Sequence, residues 1–516
     1  MSRGPFRQLL CAASLANLWL FQNWTVLLTY TAANSYIMKQ PPGRGNYLAA
    51  LTDFALLTLA LLALMGWIER SGGRKQRSLK VLFLVLLLVP LNSVRETVAV
   101  AFPLLKGDLL RVVPAGAVTA AALSLLGLTI LMACLRTERL YGISRNLLLI
   151  LSPAILVSTG QSLHRAFEPP ERFRDKPPAQ PVEMARKTTA RVVWVIFDEV
   201  DGRITFRDRP ADLDLPELDR LRSESVWTDR GETPSSATMF VLPALITGQL
   251  YDVRRTGSSS LMLGMSGQKE EKEWSKVQSV FTRARALGAN SALAGWYHPY
   301  CRILGGQVVD CAFEDMPNKY GSVGESWIAA SVGGLRALFE TSLLSPFGQS
   351  LATRRQAENI ERLEARALQV VSAPRIDFCF LHLQAAHAPH AYDRKTGTFT
   401  LANSPLTGYV DSLALVDRTL GRLRSGMEKA GVWDRTSLIV TSDHRYRSGR
   451  RLDGKPGEGV PLLVHLAGQK QELRVGNEVK TLGTQELVLR MLSGEVTTAE
   501  QVGEWMRRGG EFSGGR

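Results

Sequence analysis

Thr-Ser-Leu-Ile-Val-Thr-Ser-Asp-His, residues 436–444, is an apolar, β-branched stretch that ends in a carboxylate and an imidazole. Such a run predicts a buried strand, and a buried parallel strand delivers the side chains that follow it to the carboxyl edge of a sheet. Asp443 and His444 are a ligand pair that suits Zn²⁺ or Mn²⁺. The same pair is also common in a turn followed by a helix cap. Its interpretation therefore depends on the rest of the chain.

A second stretch of this kind lies far upstream. Residues 191–199 read Arg-Val-Val-Trp-Val-Ile-Phe-Asp-Glu, again a continuous apolar run that ends in acidic side chains. Because the carboxyl ends of parallel strands meet at one edge, Asp198 is expected beside Asp443, unless it only caps the next turn. Glu199 is expected next to the site or in solvent.

Between these strands a Ser/Thr-rich loop runs into an apolar segment. Residues 231–248 read Gly-Glu-Thr-Pro-Ser-Ser-Ala-Thr-Met-Phe-Val-Leu-Pro-Ala-Leu-Ile-Thr-Gly, which predicts a capped, buried helix. A hydroxyl at a helix N-terminus lies in a positive field beside free N–H groups, where it can bind or attack an anion. Thr238 is equally a favoured cap with no chemistry, and Ser235 and Ser236 compete for either role.

The N-terminal third of the chain is dominated by long apolar runs, each close to the roughly 20 residues that a helix needs to cross a bilayer. Five spans are predicted, near Leu9–Tyr30, Tyr47–Trp67, Val81–Phe102, Val113–Leu135 and Asn146–Leu163. Basic residues precede the first span and fill the loops after the second and fourth. This distribution predicts cytoplasmic loops there and places everything after the fifth span on the far side of the membrane.

Composition divides the chain into three predicted parts. Residues 1–165 form the bundle of five transmembrane helices, and residues 166–189 contain a Pro-rich, charged linker. Residues 190–516 are expected to form one α/β domain, with a central mixed sheet flanked by helices. Within that domain, apolar residues recur at helical spacing over 404–430, and Asp417 on the same face is expected to hydrogen-bond inward.

The formal charge of +14 suits cytoplasmic loops that face anionic lipids and a domain that handles anionic substrates near a membrane. Nucleic-acid binding is disfavoured, because no basic-aromatic stripe or recognised motif accompanies the charge. Cys301 and Cys311 are separated by a segment with a Gly-Gly pair, so a hairpin could close them into a disulfide outside the cytoplasm. Two free thiols are the alternative.

In order and spacing, these features resemble the sulfatase-like branch of the alkaline phosphatase superfamily. The resemblance rests on the strand that ends at Asp198, the helix that ends Leu-Ile-Thr-Gly, the His387-Ala-Pro389 motif and the Thr-Ser-Asp-His stretch. In that branch the nucleophile lies nine residues before the Thr of Thr-Gly, and this position is occupied by Thr238. The predicted spans ahead of the domain further resemble phosphoethanolamine transferases and lipoteichoic acid synthases.

The resemblance implies a role for each matching residue. The implied ligands of a divalent metal, Zn²⁺ first, with Mn²⁺ or Ca²⁺ as alternatives, are Asp198, Thr238, Asp443 and His444. Thr238 is the implied nucleophile, and His387 would protonate the leaving group, hold the substrate's charged group or bind a second metal. Glu199 matches the second of the family's paired acids and is expected beside the ligands. By their charge, Arg445, Arg447 and Lys455 could bind the anionic oxygens of a substrate, and solvated surface charges are the alternative. His382 aligns only loosely, and the histidines expected to be structural are His298, His390 and His465.

The implied function is that of a membrane-bound, metal-dependent transferase. It would move a phosphoethanolamine- or phosphoglycerol-like head group from a membrane lipid to an envelope glycan or lipid through a phosphothreonine intermediate. The expected location is the cytoplasmic membrane, with the large domain in the periplasm or outside the cell. One alternative is a sulfatase-like phosphodiesterase or ester hydrolase. Another is a pseudoenzyme that binds an envelope glycan or protein, since Arg445 replaces the Gly of the family's Asp-His-Gly. The Cys-x-Pro-Ser-Arg signature is absent, which argues against a formylglycine sulfatase.

Overall fold

The computed structural model describes residues 3–29, 36–90, 124, 127–169, 172–182, 189–256, 261–265, 270–316, 326–341, 350–400 and 408–512. Its helices, in chain order, are α1 (Arg3–Trp19), α2 (Phe21–Leu28), α3 (Arg44–Arg70), α4 (Gly73–Leu86), α5 (Thr137–Leu151), α6 (Pro153–Phe167), α7 (Pro216–Ser223), α8 (Thr238–Thr247), α9 (Val280–Ala286), α10 (Tyr300–Leu304), α11 (Trp327–Thr341), α12 (Ser350–Val371), α13 (Gly408–Lys429), α14 (Gly449–Asp453), α15 (Thr484–Ser493) and α16 (Ala499–Arg507).

The strands are β1 (Arg191–Phe197), β2 (Val226–Glu232), β3 (Asp252–Thr256), β4 (Leu261–Gly264), β5 (Glu271–Glu273), β6 (Ser291–Trp296), β7 (Asp310–Glu314), β8 (Phe378–Leu383), β9 (Tyr392–Asp393), β10 (Thr398–Phe399), β11 (Thr436–Ser442), β12 (Val460–His465), β13 (Leu473–Arg474) and β14 (Val479–Lys480). The predicted strands at 191–197 and 436–442 and the predicted helix near 404–430 are therefore present, the helix as α13.

The chain forms two compact units, and neither is one continuous stretch of sequence. Unit 1 contains Met1–Thr31, Gln40–Arg172 and Asn318–Leu351. Unit 2 contains Ala32–Lys39, Phe173–Pro317 and Ala352–Arg516. The domains predicted from composition are continuous, so the observed units differ from them by two exchanged segments. Among the described residues of these segments, Tyr36 bonds to His298 of unit 2 and Ser331 bonds to Asp53 of unit 1.

In unit 1, α3 is the one helix of the described residues with the length and composition of a membrane span by itself. Helices α5 and α6 pass the same test together, although they are bent by 45° at the break between them. The predicted first span is divided into α1 and α2. The predicted third and fourth spans fall largely on residues 91–123, outside the described residues. The bundle of five transmembrane helices stays a prediction.

Helix α11 packs along α3 within unit 1. The Ser331 hydroxyl donates a hydrogen bond to Asp53, which is only 1% exposed. Gly334 permits this close approach, because a Cβ atom there would lie 2.8 Å from Asp53 Oδ2. A buried carboxylate needs a polar partner, and α11 provides one for Asp53.

Unit 2 is organised around a mixed sheet. Its spatial strand order is β13-β2-β12-β11-β1-β8-β6-β7, and β14 also pairs with β2. The strands from β11 to β7 run parallel, whereas β12 is antiparallel to β11. Helices cover the sheet, which confirms the predicted α/β fold with a central mixed sheet flanked by helices.

Strand β1 shows why the sequence contains a continuous apolar run. All seven of its residues are buried, because side chains alternate between two covered faces. Val192, Trp194 and Ile196 join a core cluster that includes residues of α8 and α15. The opposite face contributes Val193, Val195 and Phe197 to a second core cluster, which also contains residues of α12 and α13.

The register of the sheet brings the acidic ends of the strands together. Phe197, the last residue of β1, is paired with Ser442 of β11 and with Leu383 of β8. The residues that follow these strands therefore lie at one carboxyl edge, as predicted for Asp198 and Asp443. Helix α13 directs Asp417 inward, as expected from the sequence. Asp417 Oδ1 accepts a hydrogen bond from the Leu218 amide at 2.7 Å.

The predicted linker is described at residues 166–169, 172–182 and 189. Helix α6 extends into it as far as Phe167, and residues 172–182 contain neither helix nor strand. Their backbone lies on unit 2, where the Lys176 and Ala179 amides donate to the carbonyls of Cys301 and Val308. The Phe173 ring lies 4.4 Å from the Arg302 guanidinium.

Cys301 and Cys311 form a disulfide that joins α10 to β7. Replacing both by Ser is expected to lower the stability of unit 2 by about 2–3 kcal/mol, because the cross-link restricts the unfolded chain. Thermal unfolding with and without a reductant measures this effect, with Cys134→Ser as a control at an exposed free cysteine. A wild-type midpoint that does not change on reduction would contradict the prediction.

Candidate active site

Helix α8 begins at Thr238, whose side chain is buried at the carboxyl edge of the sheet. The Thr238 hydroxyl donates to Asp443 Oδ2 at 2.8 Å. The same oxygen lies 3.4 Å from Asp198 Oδ2 and 3.3 Å from His444 Nε2. The four residues that the resemblance implies as metal ligands thus meet around one hydroxyl.

The backbone of the turn after β1 is fixed by hydrogen bonds to side chains. Glu199 adopts a left-handed φ of 63°, which is uncommon for a residue with a side chain and is found most often at functional sites. Its amide donates to Asp443 Oδ1 at 3.2 Å. The Tyr409 hydroxyl donates to the Glu199 carbonyl and accepts from the Asp201 amide, both at 2.9 Å. Tyr409 therefore fixes the turn that carries Asp198.

Tyr409→Phe is expected to destabilise unit 2 by about 1–3 kcal/mol, because it leaves a buried carbonyl and a buried amide without their partner. A lower kcat should accompany this loss, since Asp198 is carried by the same turn. Thermal unfolding and steady-state kinetics measure the two effects. Tyr251→Phe is the matched control, because it removes a hydroxyl that donates to the Gln249 side chain. Unchanged stability in Tyr409→Phe would contradict the prediction.

Two imidazoles present a lone pair to Asp198. His444 Nδ1 lies 3.1 Å from the Arg445 carbonyl oxygen, and His382 Nδ1 lies 3.1 Å from the Trp296 carbonyl oxygen. A carbonyl oxygen only accepts, so each Nδ1 carries the proton and each Nε2 has a lone pair, which at His444 accepts from Arg447 at 2.7 Å. His382 Nε2 lies 3.9 Å from Asp198 Oδ2, and His444 Nε2 lies 3.7 Å from Asp198 Oδ1. Metal-bound histidines typically have their outer N–H fixed in this way.

The donor atoms fit a divalent metal. One atom each from Asp198, His382 and Asp443 lies within 4.8 Å of the other two, and all three residues are buried. Burial, together with the charges of Asp443 and Glu199, raises the pKa of Asp198 well above its usual range. Among the described atoms, Asp198 Oδ1 and His382 Nε2 have no hydrogen-bond partner. Neighbouring buried carboxylates repel each other unless one is protonated or a cation binds between them, and this oxygen–nitrogen set suits Zn²⁺ or Mn²⁺.

Arg447 lies at the mouth of this group. One of its terminal nitrogens is 2.7 Å from His444 Nε2, and its Nε is 3.5 Å from Glu199 Oε1. The side chain is 53% exposed, so it borders both the ligands and solvent. A guanidinium in this position suits the oxygens of an anionic substrate.

The other predicted cations bond elsewhere. The Arg445 guanidinium donates to the Gly457 carbonyl at 2.7 Å, and Lys455 Nζ pairs with Asp208 Oδ2 at 3.0 Å. The structure does not bring these two side chains to the Thr238 hydroxyl, and their contact with substrate stays a prediction.

His387 lies near the acidic side of the group, where the Glu199 charge acts on it. Its Nδ1 is 2.6 Å from the Ala388 carbonyl oxygen, and its ring packs edge-on against Trp296 with centroids 4.8 Å apart. Burial lowers the pKa of His387. In a neutral ring, an Nδ1–H that faces a carbonyl oxygen leaves the lone pair on Nε2. This geometry suits His387 as a proton acceptor better than as the predicted proton donor to a leaving group.

Two histidines lie closer to Thr238 than the sequence indicates. His382 is paired with Ile196 across the sheet, and Ile196 precedes Asp198 by two residues. This strand register is the signal that could have identified His382. His298 Nε2 lies 3.1 Å from the Thr238 carbonyl oxygen, and burial lowers the pKa of His298 to about 3. The sequence around His298 contains no motif that predicts this contact. His465 has the structural role expected for it, with its ring stacked on Trp433.

The sulfatase family model matches residues 191–492. A search of curated proteins gives no match. Similar solved structures include the PsFucS1 sulfatase from Pseudoalteromonas sp., 14% identical with a TM-score of 0.41 over 60% of this chain and 69% of that chain. The phosphonate monoester hydrolase of Agrobacterium radiobacter is 16% identical, with a TM-score of 0.41 over 63% and 79%. The lipoteichoic acid synthase LtaP from Listeria monocytogenes is 11% identical, with a TM-score of 0.38 over 60% and 76%.

The family match spans more than half of the chain. It includes both strands that end in the acidic ligands and the helix that begins at Thr238. The chain therefore belongs to the sulfatase family and is a sulfatase-like enzyme.

Proposed function

We propose that this enzyme is a membrane-attached, metal-dependent transferase that moves a phospho-head group from a lipid to an envelope acceptor through a phosphothreonine. The observation that supports the proposal is the position of the Thr238 hydroxyl, 2.8 Å from Asp443 Oδ2 and 3.3 Å from His444 Nε2. A threonine hydroxyl in this environment is a nucleophile that can form a covalent ester with a phosphoryl group.

The residues that would hold the metal are Asp198, Thr238, Asp443 and His444, with His382 beside them. A divalent metal bound there lowers the pKa of an adjacent hydroxyl and offsets the negative charge of phosphoryl oxygens. The protein's own contribution is a preorganised, buried donor set that excludes water from the hydroxyl.

In the first step, Thr238 Oγ1 forms a bond to phosphorus, and the bond between phosphorus and the oxygen of the lipid alcohol breaks. Asp443 Oδ2 is the first acceptor of the Thr238 proton, because the hydroxyl already donates to it. The departing alkoxide takes up one proton from water and leaves as diacylglycerol. The head group remains on Thr238 as a phosphodiester.

In the second step, an acceptor hydroxyl attacks phosphorus and the bond to Thr238 Oγ1 breaks, so the threonine recovers its proton. The neutral His387 ring offers a lone pair that suits the proton of the incoming hydroxyl. Arg447, which borders the ligands and is half exposed, is placed to bind the remaining phosphoryl oxygens.

The test uses the purified full chain with vesicles that contain phosphatidylethanolamine or phosphatidylglycerol labelled in the head group. We expect diacylglycerol to accumulate and label to appear on the protein. Transfer of the label to an added glycan or lipid acceptor identifies a transferase, whereas an equal rate of release to water without acceptor identifies a hydrolase. Absence of both diacylglycerol and labelled protein with either lipid would overturn the proposal.

A further inference from the structure

We call residues 36–39 the strap. They belong to unit 2, although they follow α2 in the chain. The buried Arg302 guanidinium donates to the carbonyls of Tyr36 and Met38 at 2.6 and 2.7 Å. The Lys39 amide donates to Asp315 Oδ2 at 3.1 Å. These bonds fix the strap against the part of unit 2 that follows β6 and β7.

The strap ends a chain of two hydrogen bonds that leads to the nucleophile. The Tyr36 hydroxyl lies 2.9 Å from His298 Nδ1, and His298 Nε2 lies 3.1 Å from the Thr238 carbonyl oxygen. The exposed fractions of the three residues are 1%, 0% and 4%. Solvent therefore does not compete for these bonds, and their geometry is set by the protein.

The direction of both bonds follows from the acceptor at the end. The Thr238 carbonyl can only accept, so His298 Nε2 carries a proton. A neutral imidazole then has its lone pair at Nδ1, and the Tyr36 hydroxyl donates to it. The rings of Trp274, Tyr297 and Tyr300 surround His298, with centroids 5.1, 5.1 and 5.6 Å away. This apolar enclosure keeps the ring neutral and in one orientation.

We propose that Tyr36 and His298 are positioning residues for Thr238. His298 holds the backbone of the first residue of α8, and this backbone aims the hydroxyl at Asp443. Tyr36 selects the His298 tautomer and ring orientation that make the contact possible. The inference rests on the proposed role of Thr238 as nucleophile, and it adds that a segment that follows α2 in the chain sets the geometry of the reaction.

Positioning of a nucleophile acts on the chemical step, since small displacements from the attack geometry slow bond formation without removing substrate contacts. Tyr36→Phe in the full chain keeps the ring and removes only the donor. We expect kcat to fall about tenfold, with KM unchanged, because one buried hydrogen bond is lost from the support of Thr238. Bound metal, measured by elemental analysis, should stay at the wild-type level. Tyr251→Phe, which removes a hydroxyl bound to the Gln249 side chain, should keep wild-type kcat.

A second set of variants tests His298 itself. The side chain in His298→Gln offers both an N–H donor and an oxygen acceptor, so this variant should retain more of kcat than His298→Leu. Adding Tyr36→Phe to His298→Leu should cause no further loss, because the two residues act through one chain of bonds. A fully additive loss would overturn the inference.

Failure of the inference can be distinguished from failure of the proposed function. A wild-type enzyme that forms no phosphothreonine and no diacylglycerol fails the proposed function. An active wild type, with kcat of Tyr36→Phe within about twofold of it, overturns the inference alone. The inference is also overturned if Tyr36→Phe loses kcat and bound metal to the same extent, since that result indicates a structural role.

Discussion

Thr238→Ala is expected to lower kcat for head-group transfer by a factor on the order of 10⁴ or more, as removal of a covalent nucleophile does in other enzymes. The physical reason is that its hydroxyl lies among Asp198, Asp443 and His444, and the substitution leaves nothing to accept the phosphoryl group there. The measurement combines initial rates with mass spectrometry of protein quenched during turnover. Wild type should show a mass increase on the peptide that contains Thr238, and the variant should not.

Two controls make this result specific. Thr247→Ala removes a hydroxyl at the other end of α8, where it donates to the Pro243 carbonyl at 2.7 Å, and should leave kcat at the wild-type level. Thr238→Ser keeps a hydroxyl at the same position and should retain measurable activity. Full activity in Thr238→Ala would contradict the assignment of the nucleophile. Modification of Ser235 or Ser236 in the wild type would instead assign the reaction to the preceding loop.

Asp443→Asn is expected to lower metal affinity more than about 100-fold, since loss of even the groups that support a ligand typically costs 10–100-fold. Asp443 accepts bonds from Thr238, Glu199 and its neighbour His444, so its charge lies at the centre of the site. Elemental analysis should find about one divalent metal per wild-type chain and little in the variant, with activity lost in parallel. Metal should raise the unfolding midpoint of the wild type but not of the variant.

The apo proteins provide an independent readout. Without metal, the Asp443 charge helps to raise the pKa of the buried Asp198, so its removal relieves an unfavourable interaction. Metal-free Asp443→Asn should therefore unfold at a higher temperature than metal-free wild type. Asp417→Asn is the control, because this buried carboxylate bonds to the Leu218 amide instead and should not affect metal content. Metal retained in Asp443→Asn, or absent from active wild type, would contradict the proposed ligand set.

The fold of unit 2 could be predicted where a local pattern determines the structure. Strands β1 and β11 are buried on both faces, which requires apolar residues at every position, and their acidic ends then share one edge. Helix α13 likewise follows from its apolar spacing. The disulfide between Cys301 and Cys311, left open by the sequence, is present. Helix α11 could not be predicted as part of unit 1, because nothing near Ser331 in the sequence indicates Asp53 as its partner.

The sequence identifies site residues that lie at the ends of predicted strands and helices. It does not identify residues that reach the site only through tertiary packing. Thr238, Asp198, Asp443 and His444 are brought together as the resemblance implies. Arg445 and Lys455 follow His444 in the sequence, but their side chains bond to the Gly457 carbonyl and to Asp208 instead. Tyr36 and His298 are separated by 262 residues, so no local pattern contains their hydrogen bond.

The exchanged segments also determine when each unit can complete its folding during synthesis. Tyr36 leaves the ribosome long before His298, and Asp53 leaves long before Ser331, so each must wait for a partner made much later. Domains usually fold one after another as they emerge, but neither unit here is complete until both have been largely synthesised. A gene divided between residues 172 and 182 would therefore encode two incomplete halves, one without the Asp53 partner and the other without the strap.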